Sequence, residues 1–460
     1  MQAALWVACF IFMSPAIGQV TIRVTQTPEK YTPLLDDLYF ASNINNWDPG
    51  NAAFKMTRIG NVWSITVTPT ANNFQYKITR GTWPTVEVDA NGVSIANRAA
   101  ANSSGAMLNI TVADWEDTRG THTSNQLVNI LGTRFFMPQL GKLRRIWICL
   151  PETYSTNATK RYPVLYMHDG QNLFDGAFAP FGEWRVDENL LTLGRSQPNL
   201  ETIVVGIDHG GSDRLNELSP YVNAQYGGGQ GEGYARFIVE TLKPFIDSMF
   251  RTLPQREFTG IGGSSMGGIM SQYAGSKYQS VFSKLMIFSP AFWFSNQVYA
   301  DITRFGHLTG TRVHFVAGQN ESSTMVSNIR LMETTLRNAG FPASDIKVDI
   351  KADGQHSEWF WAREFNASWQ WLMQNTTTST LGNSIDKAAV FYKPETNRIM
   401  IDNQSALVYN CQLIDASGKL LKSDLAKGQH EISTLDLKQG VYLLRLSGNH
   451  GFTHHKLLIY

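Results

Sequence analysis

The 460-residue chain is poor in cysteine, in net charge and in long apolar runs, and each shortage removes a class of function. Cys9, Cys149 and Cys411 are too few and too scattered for a disulfide framework or a zinc site, and no metal is expected. With 39 basic side chains against 38 acidic ones, no field gathers nucleic acid or anionic lipid, so a neutral or locally read partner is expected. No apolar segment is long enough to span a bilayer as a helix. No short-period repeat runs through the chain, and its length is too great for one ordinary core, which implies two or three domains.

What is present falls into regions of different texture. Residues 5–13 are almost wholly apolar, Ser14-Pro15 breaks the run, and Ala16-Ile17-Gly18 supplies small residues where a signal peptidase cuts. We expect an export signal over 1–18, although no Lys or Arg precedes it. Residues 19–118 read as short strands with polar turns, at 20–24, 38–41, 62–67, 74–78 and 108–112, which predicts an all-β sandwich. Residues 99–105, small and polar, read as a loop within it. From 124 to 375 strand-length apolar runs alternate with helical patterns. The runs are 146–150, 164–168, 202–207, 257–261, 284–288 and 313–317, and helices are expected near 233–250 and 324–339. That alternation predicts an α/β domain, a mostly parallel sheet covered on both faces. A polar linker is expected over 376–384, and 385–460 returns to strands as a second small β-sandwich.

Gly263-Ser264-Ser265-Met266-Gly267 fits Gly-X-Ser-X-Gly, with a strand candidate before it and a helix candidate after it. The flanking glycines let chain segments pass closely around a sharply turned serine, which makes Ser265 the expected nucleophile. A serine needs a base, and the base an orienting acid, in the chain order Ser, acid, His. His356 is the best base, in a loop after a strand and just before Trp359-Phe360-Trp361. His314 lies inside a strand, and His307 in a loop without polar neighbours. Glu321, just past the strand at 313–317, is the expected acid at the carboxyl edge of the sheet, with Asp345, Asp349 and Asp353 as rivals. The oxyanion hole needs two backbone N–H donors. Met266 supplies one, and either Gly170 or Gln171, after the strand at 164–168, the other. No cofactor is implied.

Arg144-Arg145-Ile146-Trp147-Ile148, the run Pro163 to Phe174, Gly182-Glu183-Trp184, the serine motif and the segment from Asp353 to Trp361 together resemble the putative esterase family. That family includes enterochelin-type siderophore esterases, S-formylglutathione hydrolase and feruloyl or acetylxylan esterases. The resemblance covers nearly all of 125–375 and implies the same roles for Ser265, His356 and Glu321, with a donor from 169–171. Many relatives carry Asp where this chain has Glu321. Residues 20–118 resemble starch- and glycogen-binding modules through Asn45-Asn46-Trp47-Asp48-Pro49, the run Phe74 to Trp83, and Asn97-Arg98. This implies a sugar site at Trp47, Lys77, Trp83 and Asn97, while Trp63 reads as core. The last 75 or so residues resemble the C-terminal sorting domain of type IX secretion cargo, through Gln412 to Lys419, Lys438 to Leu443 and Lys456 to Tyr460. The expectation is a secreted or surface esterase acting on acyl groups attached to polysaccharide, partnered by the secretion machinery. A siderophore esterase and an inactive carbohydrate-binding protein are the alternatives.

Overall fold

The protein is described from a computed structural model, which covers residues 18–28, 30–374, 389–402, 408–415, 420–448 and 451–459. All but Gly18 of the expected export segment, and the whole expected linker, lie outside the described residues. The chain divides into two compact units. One takes in the chain up to Thr32 together with Asp36–Thr121; the other takes in Pro33–Leu35 and the chain from His122 onward.

The first unit packs a four-stranded sheet (Thr57–Ile59, Val62–Val67, Val20–Gln26 and Ala106–Thr111, in that order) with a three-stranded one (Tyr39–Ser42, Asn73–Thr79 and Arg98–Ala101). Alternating residues such as Val20, Ile22 and Val24 point inward with Phe40, Phe74, Tyr76 and Trp115, and Trp63 is buried there too. Arg98–Ala101 corrects the loop expected over 99–105, whose first residues, Ala99 to Ala101, pair with Asn73–Gln75. Alanine-rich composition hid a strand that needs little side chain where it pairs.

The second unit is built on an eight-stranded sheet. Its strands are β1 (Val128–Met137), β2 (Lys142–Cys149), β3 (Val164–His168), β4 (Ile203–Ile207), β5 (Thr259–Ser264), β6 (Lys284–Phe288), β7 (Arg312–Gly318) and β8 (Ile346–Lys351). They run in the order β1-β2-β4-β3-β5-β6-β7-β8. β2 is antiparallel to both neighbours, and β3 through β8 are parallel. Every residue of β3 to β7 is buried, because helices cover both faces, and this is why β3, β4, β6 and β7 appear in the sequence as mostly apolar runs, with small residues prevailing in β5. Its helices include α1 (Val186–Ser196), α2 (Met266–Lys277), α3 (Gln297–Phe305), α4 (Met325–Asn338) and α5 (Glu358–Met373), besides a helical run over 231–249 with a π segment at Phe237–Leu242. This is the α/β architecture that the alternating texture predicts, with β1 added at the antiparallel edge. Two small sheets follow near the C-terminus: Ala389–Lys393, Arg398–Asp402 and Gln429–Ser433, then Leu420–Lys427, Val408–Asp415, Gly440–Gly448 and Gly451–Ile459. Among the described residues, no helix is long and apolar enough to cross a membrane.

Candidate active site

The strands of a parallel sheet all deliver their carboxyl ends to one edge, and the expected catalytic residues come from that edge. Ser265 follows β5 with φ 55° and ψ −116°, a conformation that a residue with a Cβ adopts only under strain of about 1–3 kcal/mol. The strain is held by the backbone. Ser265 N–H donates to Phe288 O at 3.1 Å, and Ser265 O accepts from Ala291 N–H at 3.0 Å. Close packing completes the turn. A Cβ on Gly267 would stand 3.1 Å from His168 Cβ and 3.6 Å from an Asp169 carboxylate oxygen. Met266 opens α2, so its N–H belongs to the first turn, whose donors have no partner within the helix and whose dipole favours negative charge.

Glu321 and His356 meet. His356 Nδ1 lies 2.8 Å from Glu321 Oε2, and the carboxylate side chain is fully buried while the imidazole is 41% exposed. The other oxygen, Oε1, accepts the Ser289 hydroxyl at 2.8 Å and the Gly318 N–H. Ser289 Oγ in turn accepts Trp361 Nε1–H at 2.9 Å, and the Trp361 ring stands edge-on to the imidazole with centroids 5.3 Å apart. The three rival aspartates are elsewhere. Asp349 binds His314 and Lys347, Asp353 binds Arg363, and Asp345 closes the turn before β8. His314 is buried against Ser368, as a strand histidine should be, and His307 packs at a tilt against Phe341.

The expected oxyanion loop leaves β3 through Asp169, which is left-handed at φ 55° and ψ 49°, and forms a single 3-10 turn over Gly170–Asn172. The first N–H groups of such a turn, those of Gly170 and Gln171, have no acceptor within it. Only glycine fits at 170, because a Cβ there would come within 2.8 Å of the backbone of Gly206 and Ile207. The loop is pinned from three sides. Asp169 takes two hydrogen bonds from Arg214, at 2.7 and 2.8 Å; the Gln171 side chain accepts His209 N–H at 3.2 Å; Asn172 reaches Glu358 at 3.4 Å. Burial raises Glu358, as does nearby Asp169, whereas Arg214 and the other charges about Asp169 hold its carboxyl low against the effect of burial. His168 is buried with Nδ1 on the Tyr234 hydroxyl, and burial pulls it down to about 4, so it stays neutral. Ser289, Arg214, Asn172 and Glu358 were not singled out from sequence. Ser289 and Arg214 follow β6 and β4 by a few residues, and that position alone could have raised them.

One acidic group lies apart from this constellation. Single carboxylate oxygens of Glu183, Asp187 and Glu188 lie within 4.8 Å of one another at the start of α1. Burial first, and Glu188 beside it, push Asp187 up to about 8. The upward shift favours a proton within this group of acids, which relieves the repulsion between them.

In the first unit, Trp47 and Trp83 stand together, with ring centroids 6.5 Å apart and planes tilted by 40°. Trp83 is 43% exposed. Asn97 is exposed and donates to the Gln75 side chain at 3.1 Å. Lys77 turns inward: it is buried, and its ammonium donates to Ile95 O.

Comparison with known proteins matches residues 138–379 to a family described as "Putative esterase" and residues 389–460 to one described as "Secretion system C-terminal sorting domain". The chain is 26% identical over 244 residues to the uncharacterized protein YbbA of Bacillus subtilis (strain 168), covering 50% of this chain and 92% of that protein. It is 34% identical over 106 residues to an alpha-amylase of Niallia circulans, covering 22% of this chain and 8% of the amylase. Among solved structures, the enterobactin esterase FES from Shigella flexneri is similar at 16% identity and a TM-score of 0.45, over 77% of this chain and 93% of that one.

Proposed function

Because this chain belongs to the putative esterase family and is an ester hydrolase, we propose that it works through Ser265, His356 and Glu321 and an acyl-enzyme intermediate. His356 takes the proton of Ser265 as the oxygen attacks the ester carbonyl, and Glu321 holds the imidazole in the tautomer that can accept it. The negative charge on the carbonyl oxygen falls to the N–H groups of Met266 and of Gly170 or Gln171. The alcohol leaves with the proton from His356. Water then gives a proton to the same imidazole and attacks the acyl carbon; as the acyl–Oγ bond breaks, His356 returns that proton to Ser265 Oγ, and the acid leaves. The observation that carries this reading is the strained turn at Ser265 on the same sheet edge as the pair formed by the buried Glu321 carboxylate and His356.

The C-terminal region is a secretion-sorting domain, so the protein is secreted or held at the cell surface. An export signal over 1–18 accords with that fate. We take the substrate to be an acyl group, feruloyl or acetyl, attached to a polysaccharide. The support is the stretch shared with an alpha-amylase and the paired indoles of Trp47 and Trp83. Turnover of p-nitrophenyl acetate tests the chemistry: it should vanish in Ser265→Ala and survive in Ser264→Ala. Loss in Ser264→Ala alone removes Ser265 from the mechanism. A panel of feruloylated, acetylated and catecholate esters tests the substrate, and preference for the catecholates makes this a siderophore esterase instead.

A further inference from the structure

We propose that Trp293 and Tyr226 form a stacking platform beside the serine turn that takes a sugar ring on the alcohol side of the ester. This rests on Ser265 being the nucleophile. Trp293 and Tyr226 are 53% and 44% exposed, their ring centroids are 5.5 Å apart, and their planes stand at 82°. Two near-perpendicular rings make an open L-shaped wall and not a closed slot. A lone exposed aromatic means little, but both of these are held in place. Trp293 sits in a 3-10 turn, Phe292–Phe294, whose other two residues are buried, so it alone turns outward. Tyr226 rides on the hairpin formed by Val222–Asn223 and Gly227–Gly228. Asn223 fastens that hairpin, donating from Nδ2 to Phe294 O at 2.9 Å and accepting the N–H groups of Gln225 and Tyr226 on Oδ1.

The platform is also tied to the chemistry. Ala291 N–H donates to Ser265 O, and Trp293 is two residues further along, a Cα separation of at most about 7 Å. An aromatic acyl group gains most from a closed pocket that removes both of its faces from water. Rings that stay half in water instead suit a ligand that is apolar on one face and hydrated on the other. A sugar ring is such a ligand: its C–H face stacks on an indole while its hydroxyls keep their water. The alcohol half of a polysaccharide ester, which must extend into solvent, presents that ring.

Steady-state kinetics on matched esters test the assignment. The feruloyl pair is methyl ferulate and feruloylated arabinoxylotriose; the acetyl pair is methyl acetate and acetylated xylobiose. In Trp293→Ala, the KM of the sugar-linked ester relative to its methyl partner should rise about tenfold, with a smaller rise in Tyr226→Ala and near wild-type behaviour in Trp293→Phe. An unchanged ratio overturns the platform, as does a loss shared by both feruloyl esters and absent from both acetyl esters, which would put the acyl ring on Trp293. Calorimetric titration of xylotriose and maltotriose into Ser265→Ala, with and without Trp293→Ala, reads the platform without turnover. If the wild type hydrolyses none of the four esters, the feruloyl or acetyl substrate reading fails by itself, while p-nitrophenyl acetate turnover that survives in Ser265→Ala is what removes the nucleophile. Trioses that bind equally with Trp293 or Ala at 293 then remove the platform as well.

Discussion

Glu321 divides its two oxygens between different tasks: one meets His356, and the other is fixed by Ser289 and the Gly318 amide. A carboxylate with both oxygens held has one orientation, so the imidazole it meets has one tautomer. Replacing Glu321 by Gln keeps the shape and reverses that preference. We expect kcat to fall about 10³–10⁴-fold with little change in thermal midpoint, measured by ester turnover beside calorimetry. Arg214 acts at one remove, through Asp169. Arg214→Ala frees the carboxylate from its clamp and loosens the loop that carries Gly170 and Gln171. Kcat should drop about 10–100-fold with KM changed far less, and added guanidinium should restore part of the loss. If KM carries the whole effect, Arg214 binds substrate and does not position the loop. At this scale the sequence spoke clearly about Ser265, whose motif is local. It spoke less clearly about Glu321, whose role depends on a partner 35 residues away and on where a loop turns. It offered only the position of Arg214 after β4, since nothing near that residue in sequence announces Asp169.

The elements that carry these residues are strained or crowded where they matter. The turn after β3 has no room for a side chain at 170, so Gly170→Ala must shift the loop or the Gly206–Ile207 backbone. We expect a loss of about 1–3 kcal/mol in stability by denaturant unfolding, with a larger proportional loss in turnover. The start of α1 supplies a pH effect. The Asp187 carboxyl sits at about 8 in the folded chain and near its ordinary value, about 3.9, when unfolded. Between those values the folded state keeps a proton that the unfolded state has released, so this contribution to stability is complete below the lower value. It declines as pH rises and is gone above the higher one. Asp187→Asn removes the dependence, and its thermal midpoint should match wild type near pH 4 and exceed it at pH 9. Most of the buried parallel strands were legible because burial on both faces favours a largely apolar run. β1 and Arg98–Ala101 were not, since edge and alanine-rich strands lack that signature.

Across the whole molecule, an ester hydrolase domain is joined to a secretion-sorting domain and to an N-terminal β-sandwich. If the paired indoles bind polysaccharide, Trp47→Ala/Trp83→Ala should leave p-nitrophenyl acetate turnover intact and abolish retention on insoluble starch. Equal retention of variant and wild type removes that site. Three regions of different texture were readable from composition and periodicity. The match of side chains to sugar was not, because presentation at a surface depends on backbone turns such as the left-handed one at Trp47, and Lys77 faces inward. In the proposed chemistry one serine attacks the carbonyl with help from one histidine. Treating the purified protein with a p-nitrophenyl alkylphosphonate and locating the adduct by peptide mass spectrometry tests it most directly. A single phosphonylated residue, Ser265, is expected, with labelling slowed at least about 100-fold in His356→Ala. An adduct on Ser264 or elsewhere, or labelling indifferent to His356, contradicts it.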